Sequence, residues 1–305
     1  MNPSSPDASG ATLIRLMPAV FVVIWATGFI VARYGMPHAP PLTFLSLRYA
    51  LSVACFLVWI VLVRAAWPVG LAQWRHLAIT GMLMHAGYLG GVWAAVRLGI
   101  GAGTVALIVG LQPLLTALWV AWQARSPITG APAREAVSLR QWAGLLLGLG
   151  GLLLVVWHKL GAGEVTAGNL ALALLALASI TVGTLYQKRH VAPCDVRTAN
   201  TVQLLGALVV SAPLAWLEAA PVHWVPELIG ALAWSVLALT LGGSSLLYLL
   251  IQRGAATRVT SLLYLVPPCT ALMAWLLFGE DLGGLTLLGM ALTVAGVAWA
   301  VRTPR

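Results

Sequence analysis

Arg48 is the only formally charged residue that falls well inside one of the chain's long apolar runs. It lies seven residues beyond Pro41, which on a helix rising 1.5 Å per residue is roughly 10 Å below the helix start. A cation at such depth in hydrocarbon is costly and faces a cavity or a partner. Two readings are open: a binding group for a substrate carboxylate or other anion, or a structural arginine that satisfies carbonyls or snorkels outward. His85 and Tyr88 are three apart and share a helix face, with Trp93 on a neighbouring face. His85 belongs to the residue type that carries protons near neutrality; the alternative is a hydrogen-bonded packing histidine. Trp25, Tyr248 and Tyr264 are amphipathic aromatics, suited to line a substrate path or to serve as packing and interfacial anchors. Gln112 stands beside Pro113, and Pro267–Pro268 form a pair; each interrupts helical hydrogen bonding, because proline removes a donor and frees a carbonyl one turn earlier. Such carbonyls can meet ligands and such kinks can act as hinges, unless neighbouring helices seal them. Gln112 and Gln203 also suit interhelical hydrogen bonding.

The missing chemistry narrows the field. None of the eight carboxylates (Asp7, Glu135, Glu164, Asp195, Glu218, Glu227, Glu280, Asp281) lies in the middle of an apolar run. Export of cationic drugs against protons usually relies on a buried carboxylate, so that reading is weakened. Gly242–Ser245 has no base to go with it and no phosphate-binding Gly-Lys-Ser/Thr motif occurs. No catalytic residue, cofactor or ATP-driven step is therefore expected. Cys55, Cys194 and Cys269 are far apart and predict neither a disulfide framework nor a metal site.

The elements that must position these residues are membrane spans. Of the 305 residues 60% are hydrophobic and 8% charged, with a mean hydropathy of +0.93; a soluble domain carries roughly a quarter charged residues. Runs of about 20 apolar residues cross the hydrocarbon core. They read as Leu16–Tyr34, Pro41–Val63, Leu77–Val96, Gly101–Gln123, Gln141–Trp157, Gly168–Gln187, Ala199–Leu217, Leu228–Ile251, Val259–Phe278 and Leu282–Val301. The first 14 or so residues read as an unstructured polar tail, and the run from Leu16 as a retained helix rather than a cleaved leader. The net charge of +9 is dispersed between the runs, which argues against a nucleic-acid groove. Expected partners are a small-molecule substrate and membrane lipids, with monomer and homodimer both open.

With the N-terminus placed in the cytoplasm, thirteen Lys and Arg fall on cytoplasmic connections and tails, against Arg33, Arg97 and Lys159 on the other side. That bias predicts both termini inside. Thr104–Leu118 can be laid on Arg258–Leu272 at an offset of 154, matching Pro113 with Pro267 and Thr116–Leu118 with Thr270–Leu272. The expected fold is all-α integral membrane: ten transmembrane helices as two inverted five-helix repeats, residues 16–157 and 158–305, after a tail at 1–15. Five spans per half force the second half to enter from the opposite side. Two antiparallel halves make a midplane site that rocking exposes to alternate sides. Gly144, Gly148 and Gly151, and likewise Gly289, Thr293 and Gly296, form small-residue stripes for close helix packing or, on a sharper reading, a dimer contact.

The segments WATGFIVARYG (Trp25–Gly35), PLTFLSLRYAL (Pro41–Leu51) and TRVTSLLYLVPPCTALMAWLLFGE (Thr257–Glu280) resemble the drug/metabolite transporter superfamily, and within it the EamA-type ten-span members. The resemblance runs from about Leu16 through the whole chain. It implies a bacterial inner-membrane secondary transporter, often an exporter of amino acids or related small metabolites; a drug or nucleotide-sugar type carrier is the alternative, and a non-transporting membrane protein a more remote one. In two places the chain departs from many relatives: Gly28 stands where they carry Asn, and the Gly-Glu pair ending their fourth span is absent around Ala124–Arg125.

Overall fold

The computed structural model describes residues 8–123, 139–243, 246 and 265–301, which form helices and short connections. In chain order these are α1 (Ala8–Gly35), α2 (Pro41–Val63), α3 (Leu71–Arg97), α4 (Ala102–Val109), α5 (Gln112–Gln123) and α6 (Leu139–Gly161). There follow α7 (Ala167–His190), α8 (Val196–Ala215), α9 (Pro226–Gly243), α10 (Val266–Phe278) and α11 (Gly284–Val301). Six are long and apolar enough to cross a membrane: α2, α3, α6 from Trp142 onward, α7, α8 and α9. Their most apolar windows are only 33–56% buried within the protein. Large aliphatics such as Val61, Leu62, Leu146, Leu153 and Val209 stand outward. Water would penalise that surface heavily, whereas lipid accepts it while the helices satisfy their own backbones.

Several expectations require correction. Helix α1 starts at Ala8, inside the stretch read as an unstructured tail. Hydropathy detects only the part of a helix that lipid covers, and a polar first turn can continue it into water. The run Gly101–Gln123 is two helices, parted at Gly110–Leu111. A Cβ on Gly110 would lie 2.8 Å from Pro267 Cγ, so the proline ring of α10 packs against the break. Helix α3 begins at Leu71, six residues before the apolar run. Tyr248, Tyr264 and the loop 124–138 lie outside the described residues.

Glycines set the helix spacing. Helices α6 and α11 meet stripe to stripe: a Cβ on Gly151 would stand 2.5 Å from Gly289 O, and one on Gly296 2.6 Å from Gly144 O. Thr293 Oγ1 donates to Gly289 O at 2.8 Å and also reaches Gly148 O at 3.3 Å. The two stripes thus pack on one another within the chain, where small residues let backbones approach. Helix α3 is held as closely, with Gly91 against Leu172 O of α7 and Gly206 of α8 against Ala78 O.

Carboxylates fasten the end of the bundle at which α2, α4 and α7 begin. Glu218 accepts from the N–H groups of Leu42 and Thr43 at 2.9 and 2.7 Å and from Thr43 Oγ1 at 2.8 Å. Glu280 accepts from Ala102 N at 2.7 Å and Gly103 N at 3.2 Å. Glu164 accepts from Gly101 N at 3.0 Å and Thr104 Oγ1 at 2.7 Å, and pairs with Lys159 Nζ at 2.6 Å. Helix starts expose N–H groups and a positive dipole end, which a carboxylate from another helix satisfies.

Gly296→Ala should therefore lower the thermal stability of detergent-purified protein, by ~1–3 kcal/mol as an overpacking cost. Gly150→Ala, where a Cβ meets nothing within 4 Å, should leave stability unchanged or slightly raised. Equal melting temperatures for the two variants would contradict the packing.

Candidate functional site

Two helices carry the site, and both depart from α-helical geometry where they do so. Met82–Gly87 in α3 and Ser235–Gly243 in α9 are π-helical. The 154-residue offset carries the first stretch onto residues 236–241, inside the second. A π-helical stretch loosens the i→i−4 ladder and often marks a functional position. The altered ladders are used at once: His85 O accepts from Tyr49 Oη at 2.9 Å, and Ser235 O accepts from Thr240 Oγ1 at 2.8 Å.

Arg48 of α2 reaches this region. It is 7% exposed, and its Nε and Nη2 both donate to Thr240 Oγ1, at 3.2 and 3.1 Å. Among the described residues no carboxylate pairs with it. Tyr49, His85 and Tyr88 lie within electrostatic range of its charge, and the Gln203 side chain is within hydrogen-bonding reach of His85. The His85 ring also stands edge-on to Tyr49, with centroids 5.9 Å apart. One turn beyond Arg48, on the same face, Ser52 is fully buried and its hydroxyl has no hydrogen-bond partner among the described residues. The result is a cation ringed by neutral polar groups, the electrostatic opposite of a site for cations.

The other sequence-nominated residues fall in different surroundings. Trp25 of α1 is half-buried beside Gly243, one turn past Thr240, and packs on Phe21. Trp93 is 1% exposed and stacked at 4.4 Å on Phe44, which lies one turn before Arg48 on α2. Gln112 Nε2 donates to Thr184 Oγ1 at 3.1 Å, tying α5 to α7. Pro113 is the second residue of α5, just after the break at Gly110–Leu111, and Pro267 and Pro268 lie in the first turn of α10. Thr240, Tyr49 and Ser52 are the additions that geometry makes to the list. A lone threonine in Leu237–Gly243 is a weak signal, and nothing in hydropathy marks a π-helical stretch.

Two cavities lie away from Arg48. One of about 10 Å³ sits at the fastened end, beside Lys159, Glu280 and Asp281. The other, about 340 Å³, is an apolar groove between α1 and α9 bordered by Ile30, Tyr34, Ala231 and Trp234. Trp234 closes one side of it by donating Nε1–H to Thr27 Oγ1 at 2.9 Å. Geometry and charge, rather than cavity size, single out the Arg48 region.

Comparison with known proteins agrees with a transport role. The model of the EamA-like transporter family matches residues 13–157 and again 168–302. An Escherichia coli K12 protein named uncharacterized inner membrane transporter YedA is 27% identical over 293 residues, covering 93% of this chain and 90% of its own. A Salmonella typhimurium protein named probable amino-acid metabolite efflux pump is 26% identical over 289 residues, covering 90% of each chain. A solved crystal structure shares the fold, with a TM-score of 0.59 and 19% identity over 94% of this chain and 96% of its own.

Replacing Thr240 by Val should destabilise the protein by ~2 kcal/mol, because a bond to a buried charge is lost. Thr240→Ser keeps the hydroxyl and should retain most of the stability. Thermal unfolding in detergent distinguishes them, and a Val variant as stable as the parent would mean that Arg48 is satisfied elsewhere.

Proposed function

The chain belongs to the EamA-like transporter family, and from that premise we propose that it is a secondary carrier exporting amino acids or related small carboxylate-bearing metabolites by alternating access. A membrane transporter of this family is not an enzyme; what remains for proposal is its cargo, its direction and its topology. The observation that carries the reading is Arg48, a buried guanidinium whose one hydrogen-bond partner among the described residues is a hydroxyl. Leaving a charge in that state within a membrane costs several kcal/mol. A substrate carboxylate offers the bidentate partner that guanidinium geometry matches.

The topology proposed is ten spans in two inverted halves, with both termini cytoplasmic. The repeated family match supports two halves. So does the recurrence of π-helical stretches, and of prolines at the second residue of α5 and α10, at the same offset. On this topology Glu164, Glu218 and Glu280 lie on the outer side and hold it shut, leaving the site to be reached from the cytoplasm. The helix break at Gly110–Leu111 supplies a hinge. The efflux pump named among the relatives favours amino-acid metabolites as cargo, and the lack of an intramembrane carboxylate disfavours cationic drugs.

Proteoliposomes loaded with a radiolabelled mixture of amino acids and their deaminated acids test this. Efflux above that of protein-free vesicles is expected, reduced at least ten-fold by Arg48→Gln. Undiminished flux in the Gln variant would remove Arg48 from the site.

A further inference from the structure

Among the described residues the Arg48 region contains one positive charge and no carboxylate to balance a second. All eight carboxylates of the chain lie outside the middle of the apolar runs, and the six described ones have other surroundings. Glu164, Glu218 and Glu280 hold helix starts. Asp195 pairs with Arg197 at 2.7 Å, Asp281 faces His158 at 3.6 Å, and Glu227 is exposed in the first turn of α9. The groups near Arg48 are hydroxyls, phenols, an imidazole and an amide. An amino acid would bring its ammonium, on the carbon next to its carboxylate, close to the guanidinium with no anion to offset it. In a low-dielectric site that repulsion is poorly screened. A monocarboxylate without the ammonium leaves the site neutral. Ser52 adds a hydroxyl one turn from Arg48 that is buried, has no partner among the described residues and can donate to a substrate oxygen.

We infer that the Arg48 site selects small monocarboxylates lacking an ammonium group, the 2-oxo or 2-hydroxy acids, over the corresponding zwitterionic amino acids. This rests on the carrier reading given above and narrows its cargo. It also supplies a driving force. A cargo of net charge −1 is pushed out of a negatively charged interior, sustaining about a 50-fold concentration ratio at 100 mV. Export then needs neither a proton carrier nor a buried carboxylate, in keeping with the absence of the latter from the middle of every apolar run.

The test uses two solutes with the same side chain, leucine and 4-methyl-2-oxopentanoate, in proteoliposomes with a potassium diffusion potential set by valinomycin. The oxo acid should leave with an apparent affinity at least ten-fold tighter than that of leucine. Its efflux should accelerate when the lumen is made negative and fall at least ten-fold in Arg48→Gln. Ser52→Ala should weaken the oxo acid's apparent affinity. If leucine is carried equally well or better by an Arg48-dependent route, the inference fails while the carrier reading stands. If neither solute shows Arg48-dependent flux, both fail.

Discussion

A guanidinium buried in a lipid-embedded bundle, with no carboxylate in the middle of any apolar run to meet it, is the constraint on which the rest of the protein depends. A charge there costs about 3 kcal/mol even by the most lenient insertion scales, and its Thr240 partner is a single hydroxyl. The π-helical stretches, the buried Ser52 hydroxyl and the neutral ring of Tyr49, His85 and Tyr88 gather where that charge is. On the carrier reading proposed above, each would belong to a place where an anion arrives and leaves. A structural arginine would be expected to keep a permanent set of carbonyl acceptors, and the described residues supply none.

The carboxylates are concentrated at one end of the bundle. Three glutamates reach across to the starts of α2 and α4, so that this end is closed by charge-assisted hydrogen bonds rather than by apolar packing alone. Such bonds are short-range and directional, which makes them suitable as reversible fastenings: strong when formed, lost within a small displacement. The tight glycine contact of α6 with α11 is of another kind, a backbone-to-backbone fit that leaves little room for sliding. The bundle thus combines a closely packed helix pair with an end held by polar contacts, which the proposed alternating access would have to release.

How much of this is legible in the sequence follows from the kind of physics involved. Membrane spans stand out because lipid demands long apolar runs, and Arg48 stands out because it violates one of them. The α6–α11 stripe is visible because close approach requires glycine at fixed spacing. The early start of α1 at Ala8 and the division of α4 from α5 are not visible, since a polar helical turn and a break packed by Pro267 leave hydropathy unchanged. Thr240 and Tyr49 are hidden because their roles depend on π-helical register and on which helices lie side by side. Trp93 shows what spacing alone leaves out: its stacking partner, Phe44, comes from another helix and is seen only in the packed structure.

The most direct measurement is a solid-state NMR distance between the carboxylate carbon of a bound substrate, enriched in carbon-13, and arginine guanidinium nitrogens enriched in nitrogen-15, in lipid bilayers. Bound carboxylate should dephase as for a separation of about 4 Å, the spacing of a bidentate pair, and the effect should vanish in Arg48→Gln. Dephasing that persists in the variant, or a bound carboxylate remote from every arginine, would contradict a substrate site built on Arg48.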